Sequence, residues 1–277
     1  MKNKILVLAM AALLFSCSSE DEDKPTGPGD GDGDNTGVYI LNSVNSYWIY
    51  ENEEADEQGN MVTTYDSTYV KSIDDNKDGK EAYNCETMTD MDGNGTYEEN
   101  NGTVQFAAST TAFFSHKDSF TPGNISLDMF GDLESQIEIK DDWVKISDTE
   151  DSDWEILESE IAFDFQSPIG MAVISGDIEV EADNMNDTKS ITVDGKTIEA
   201  HGFEMKFEFD GNIGVAVLNF PMKFTSIINY WVAEGIGPVQ IESLPVEFEI
   251  DLPEGFGEEL LPDQPGSVST LVRFEKK

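Results

Sequence analysis

The chain has 277 residues, and 57 acidic side chains against 16 basic ones give a formal charge of −41. Such a field repels nucleic acid and anionic head groups, and the acids are interspersed with apolar residues, so a disordered acidic tail is excluded as well. With only two cysteines, Cys17 and Cys85, a disulfide framework is excluded too, and the fold depends on a packed core.

Lys2 and Lys4 precede an unbroken apolar run from Ile5 to Leu14, and Ser16-Cys17 follows. This is the three-part pattern of a secretory signal. Its ten apolar residues would span roughly 15 Å as a helix. A bilayer core needs about 30 Å, so residues 1–16 serve export and do not cross the membrane. Leu14-Phe15-Ser16-Cys17 resembles the lipobox of bacterial lipoproteins, with Phe15 in place of the usual small residue. The resemblance implies cleavage before Cys17, a diacylglycerol on its sulfur and an acyl chain on its amino group. One chain anchors only marginally, whereas several on one residue hold stably.

Ser18-Ser19-Glu20-Asp21-Glu22-Asp23 resembles the acidic signal that directs lipoproteins of the Bacteroidota to the outer face of the outer membrane. Residues 17–37 are rich in Gly, Asp and Pro and carry no Val, Ile, Leu or aromatic side chain. They read as a flexible tether with a reach of about 25 Å. The folded domain is expected over residues 38–277.

Within that domain the apolar period is two. Ile178, Val180 and Ala182 alternate with Glu179 and Glu181; Phe203, Met205, Phe207 and Phe209 with Glu204, Lys206 and Glu208; Val246, Phe248 and Ile250 with Glu247 and Glu249. One face packs and the other stays wet, as in antiparallel sheets. Asp78-Gly79, Asp92-Gly93, Asp194-Gly195 and Asp210-Gly211 are read as turns between strands. No helical period exceeds two turns, although residues 252–265 could hold a short one. The expected fold is all-β, with about 12 to 16 strands in an antiparallel curved sheet, half-barrel or barrel; a β-sandwich is the alternative. Residues 110–135 break the alternation and read as a long loop or a seam.

Tyr47-Trp48-Ile49-Tyr50, Tyr65-Asp66-Ser67-Thr68-Tyr69-Val70 and Trp231-Val232-Ala233-Glu234-Gly235-Ile236-Gly237-Pro238-Val239 resemble segments of a loose group of uncharacterised Bacteroidota envelope lipoproteins, similar to the DUF3108-like β family. The resemblance implies an antiparallel β fold and an envelope location, and no reaction. Physically, Gly235 and Gly237 are expected at a strand edge, where a missing Cβ allows a bulge. Trp48 and Trp231 have the bulk to fill a barrel end or an inter-sheet core.

No catalytic motif is present: no G-x-S-x-G, H-E-x-x-H, C-x-x-C or phosphate-binding glycine loop. The only histidines, His116 and His201, read as surface or turn residues, and Cys85 as a buried small one. The chain is therefore not expected to be an enzyme. Two metal readings stand beside plain turns. Asp74, Asn76 and Asp78 fit D-x-N-x-D-G, and Asp90, Asp92 and Asn94 fit D-x-D-x-N-G, with Glu98 as a further oxygen. Alternating oxygen ligands before a Gly are what Ca2+ loops use, but neither run has the final bidentate Glu, and hairpins use the same residues. Trp143 and Trp154 flank an acidic turn and could stack on a glycan, or simply pack in a core. Asp66-Ser67-Thr68 resembles the O-glycosylation acceptor of Bacteroidota.

The resulting expectation is a non-catalytic binding or structural domain at the outer-membrane surface, held by its lipid anchor and facing a glycan or another envelope protein. The alternative is a surface hydrolase of glycans or peptides that works with acidic residues.

Overall fold

A computed structural model describes residues 40–56, 59–90, 98–120, 139–167, 170–215, 218–250 and 265–277. The signal, Cys17, the tether, Asp92-Gly93, Asn94 and the stretch 252–264 lie outside the described residues.

Among the described residues the regular secondary structure is strand, apart from one 3-10 turn at Lys117–Ser119. Its strands are β1 (Tyr47–Ala55), β2 (Met61–Lys77), β3 (Lys80–Asp90), β4 (Glu98–Ala108), β5 (Ala112–His116), β6 (Trp143–Asp148), β7 (Asp153–Ser167), β8 (Gly170–Val193), β9 (Lys196–Val215), β10 (Leu218–Ala233), β11 (Gly237–Ser243), β12 (Glu247–Ile250) and β13 (Ser267–Glu275). No helix among the described residues is long and apolar enough to cross a membrane.

All thirteen strands belong to one sheet, ordered β6-β5-β4-β3-β2-β1-β13-β11-β10-β9-β8-β7, with β12 added beside β10. Every pairing is antiparallel. The sheet curls into a nearly closed barrel, as the alternation predicts. Its two ends, β6 and β7, are consecutive in the chain. Side chains hold that corner: the Trp154 indole donates to Lys145 O at 2.9 Å and Asn184 Nδ2 to Asp148 O at 3.3 Å.

The inner face carries the core. Phe203, Met205, Phe207 and Phe209 are buried, as are Ile174, Ile178, Val180 and Ala182 of β8. The Phe224 ring stacks with Phe207 and Phe209 at centroid distances of 5.5 and 5.0 Å, and Phe248 of β12 packs on it at 5.7 Å. From β1, Trp48 Nε1 donates to Ile236 O at 2.6 Å and Tyr50 Oη to Pro238 O at 2.7 Å. The W-x-Y strand is thus tied to the β10–β11 turn across β13, and each buried donor is satisfied.

The turns divide. Asp78-Gly79 and Asp194-Gly195 form the two-residue hairpins expected, with all four φ angles positive. Asp210-Gly211 does not turn: both residues lie inside β9. Gly211 pairs with Gly176 of β8, and a Cβ on it would lie 2.3 Å from Ser175 O and 2.7 Å from Gly176 Cα. The glycine pair therefore lets two long strands approach and bend, a barrel device rather than a loop. Gly235 lies in the β10–β11 turn with a φ of 70°, whereas Gly237, with a φ of 103°, opens β11 opposite Ala233, beside a register irregularity of that ladder.

The large apolar side chains left exposed are Met61, Val62, Met171, Val173, Leu218 and Leu244 at the end of the barrel bearing the β1–β2 turn, with Val44 at the other. Ile40, the first described residue, leads into β1 at that other end.

The glycine contact gives a direct test. Gly211→Ala should lower stability by about 1–3 kcal/mol through overpacking. Gly214→Ala, whose Cβ would meet its nearest neighbour at an ordinary 3.5 Å, should be nearly neutral. Urea denaturation of the two variants checks this, and equal midpoints would remove the close-approach account.

Candidate functional site

The residues proposed from sequence are scattered rather than gathered. Asp74 and Asn76 lie in the exposed end of β2, where the Asn76 amide donates to Asp74 Oδ1 at 3.0 Å. Asp78 opens the hairpin and points elsewhere: its carboxylate takes Lys77 Nζ at 2.9 Å and His116 Nε2 at 3.2 Å. Those two contacts, Lys77 first, hold its carboxyl below the usual range. No group of three or more His, Cys, Asp or Glu among the described residues is arranged to hold a metal. The first expected Ca2+ loop is a hairpin whose one turn carboxylate is already engaged. Of the second, Asp90 is buried at the end of β3 and Glu98 begins β4, while Asp92 and Asn94 lie outside the described residues.

Trp143 is buried rather than presented as a platform. Its indole donates to Lys77 O at 3.1 Å, and the edge of His116 meets its ring at 5.0 Å. Trp154 is half-buried, with Lys145 Nζ 4.9 Å from its ring centroid. The paired stacking surface expected for a glycan is therefore not formed, because Trp143 joins a packed cluster with Ala82, Ala107 and Phe114. His116 itself is buried at the end of β5, not on the surface. Asp66, Ser67 and Thr68 are also buried, which leaves the acceptor hydroxyls of the glycosylation signal out of reach. Cys85 faces the core in β3, and burial pushes its thiol up.

A different group of residues does converge. On β1, the inward side chains Trp48 and Tyr50 are followed by Asn52 and then Glu54, so the apolar face turns polar toward the β1–β2 turn. β2 does the same in reverse, with Thr64 and Asp66 before Thr68 and Val70. The register sets them side by side: Asn52 opposite Thr64 and Ser269, Asp66 opposite Tyr50 and Thr89. Ser269 Oγ donates to Asn52 Oδ1 at 2.6 Å, and Asn52 Nδ2 reaches Thr64 Oγ1 at 3.5 Å.

Asp66 is the centre of this group. It is 1% exposed, and its Oδ1 has no hydrogen-bond partner. Burial pushes its carboxyl up to about 7; hydrogen bonds to Asn52 and Thr89 pull the other way, and the nearby Glu54 charge adds to the rise. Burial raises Glu54 as well. No lysine, arginine or histidine forms a salt bridge with either acid among the described residues.

Sequence reasoning missed this group. The signal was available as a defect in the pattern, because Asn52, Glu54 and Asp66 occupy positions where the period-two face should stay apolar.

No protein-family model and no curated protein matches the chain. Two solved structures are similar to it. One is a "putative lipoprotein" from Parabacteroides distasonis ATCC 8503, 10% identical, with a TM-score of 0.42, covering 86% of this chain and 99% of that one. The other is a "putative exported protein with YmcC-like fold" from Bacteroides fragilis NCTC 9343, 11% identical, with a TM-score of 0.37, covering 87% of this chain and 100% of that one.

A raised carboxyl pKa has a signed consequence. Folded Asp66 keeps its proton to about pH 7, whereas the unfolded chain releases it near pH 4. Between those values the folded state binds more protons, so stability falls as pH rises. Relative to Asp66→Asn, the wild type should lose up to about 4 kcal/mol between pH 4 and 8. Denaturation curves at stepped pH measure the difference. Parallel profiles for the two proteins would show that Asp66 titrates normally.

Proposed function

We propose that the chain is a lipid-anchored envelope protein, fixed through Cys17 and displayed at the outer-membrane surface, whose barrel is a non-catalytic binding module. The anchoring reading is supported by the apolar run from Ile5 to Leu14 that ends at Leu14-Phe15-Ser16-Cys17, and the surface reading by the acidic residues that follow. The tether's reach of about 25 Å lets the barrel stand clear of the bilayer.

The binding reading rests on one observation: the inner face of the barrel holds a carboxyl oxygen that nothing in the protein satisfies. Leaving such a group unpaired costs about 1–3 kcal/mol, more when it is charged. A wall built only for packing would carry an apolar residue there. The group runs from buried Asp66 to half-buried Glu54, toward the end of the barrel opposite Ile40.

The same two carboxyls favour a second reading, a surface hydrolase. Two acids with raised pKa on one inner face are the groups that general acid–base chemistry uses. Glycan or peptide hydrolysis abolished by Asp66→Asn would establish it.

Lipid attachment is tested by metabolic labelling with palmitate. The wild type should be labelled and recovered with membranes. Cys17→Ser should lose the label and become soluble, and a membrane-bound Cys17→Ser protein would overturn the anchor.

A further inference from the structure

We infer that the β1–β2 end of the barrel is a proton-controlled gate, which closes over a protonated Asp66 and opens by itself, apart from the rest of the fold, with release of that proton. The gate operates whatever the barrel binds.

The inner face decides where the structure yields. Over β8 and β9 it is a continuous apolar layer, with Ile178, Val180, Phe203 and Phe207 buried. Beyond Trp48 and Tyr50, toward the β1–β2 turn, it changes character on four adjacent strands. β13 contributes Ser269, β1 Asn52, β2 Thr64, Asp66 and Thr68, and β3 Thr87, all of them buried. Side-chain hydrogen bonds join this block: Ser269 Oγ donates to Asn52 Oδ1 at 2.6 Å, and Asn52 Nδ2 reaches Thr64 Oγ1 at 3.5 Å. Such bonds exchange for bonds to water at small net cost, whereas parting an apolar layer costs much more. A segment with few buried apolar contacts opens without global unfolding.

Asp66 couples that opening to pH. From β1 it is met by Tyr50, Asn52 and Glu54, and from β3 by Thr89. Ser269 of β13, beyond Asn52, is uncharged. Glu54 is therefore the one charged neighbour among the described residues, and it is another acid. Asp90 lies opposite Tyr65, so it faces the other side of the sheet. With no cation to hold a carboxylate here, the closed end keeps the proton to about pH 7. Opening returns Asp66 to water, where it ionises at about pH 4. Between those values opening releases a proton, so acid shuts the gate and rising pH favours its opening by about tenfold per pH unit. Above neutrality both forms are ionised and the dependence ends. Glu54, also raised by burial, acts in the same direction.

The experiment is hydrogen–deuterium exchange of the full mature chain in detergent between pH 5 and 8, with each rate divided by its intrinsic value. At neutrality the amides of residues 52–54 and 63–66 should exchange roughly a hundredfold faster than those of residues 203–209. Their protection should fall about tenfold per pH unit up to neutrality and then level off. Asp66→Asn, which keeps the shape without the charge, should remove most of that slope, with circular dichroism establishing that the variant is folded.

Exchange at residues 52–66 no faster than at residues 203–209 would show that this end opens only with the whole barrel, and the gate would be refuted. Faster but pH-independent exchange in the wild type would refute the role of Asp66 without any variant, as would a folded Asp66→Asn that kept the wild-type slope. None of these outcomes bears on Cys17, which the palmitate experiment tests by itself.

Discussion

The inner wall of a nearly closed barrel has little access to water, so a polar group placed there is costly unless the protein supplies its partner. This constraint orders the whole structure. Trp48 and Tyr50 meet it by donating to the carbonyls of Ile236 and Pro238, and in doing so they tie β1 to the β10–β11 turn across β13. Asn52 meets it through Ser269 and Thr64. Asp66 meets it only in part. Asp66, opposite Tyr50 on the neighbouring strand β2, is the inner-face carboxyl left incompletely paired.

The division of labour between the walls follows from side-chain volume. β8, β9 and β10 contribute stacked phenylalanines and branched aliphatics, which fill their side of the interior. β1 and β2 contribute bulk at one end and short polar groups at the other. Along β1 and β2 the inner face thus passes from Trp48, Tyr50 and Val70 to Asn52, Asp66 and Glu54 toward the β1–β2 turn. The extreme outer charge has a separate role, since the acids at alternate positions of β8 and β9 face solvent and keep long strands from associating.

Much of this fold was legible in the sequence because its signals are local. The alternation from Phe203 to Phe209 specifies a strand with one packed face, and Asp194-Gly195 specifies the tight turn before it. Other features were misread because the same residues have two uses. Asp210-Gly211 looks like a turn, yet Gly211 is there so that its strand can touch Gly176. Asp78 looks like a cation ligand, yet it is taken by Lys77 and His116. Trp143 looks like a sugar platform, yet its indole closes the end of a hairpin. The candidate site was hidden for a different reason. Ser269 lies 217 positions from the Asn52 it orients, and only strand pairing reveals that Glu54, Asp66 and Thr89 share a face.

The most direct test of the account is carbon-13 NMR of the Asp66 carboxyl across pH. The resonance should titrate near neutrality, because burial holds the proton on the acid. An Asp66 signal that titrates in the ordinary carboxylate range would contradict the claim that the inner face of the barrel keeps this acid buried and incompletely paired.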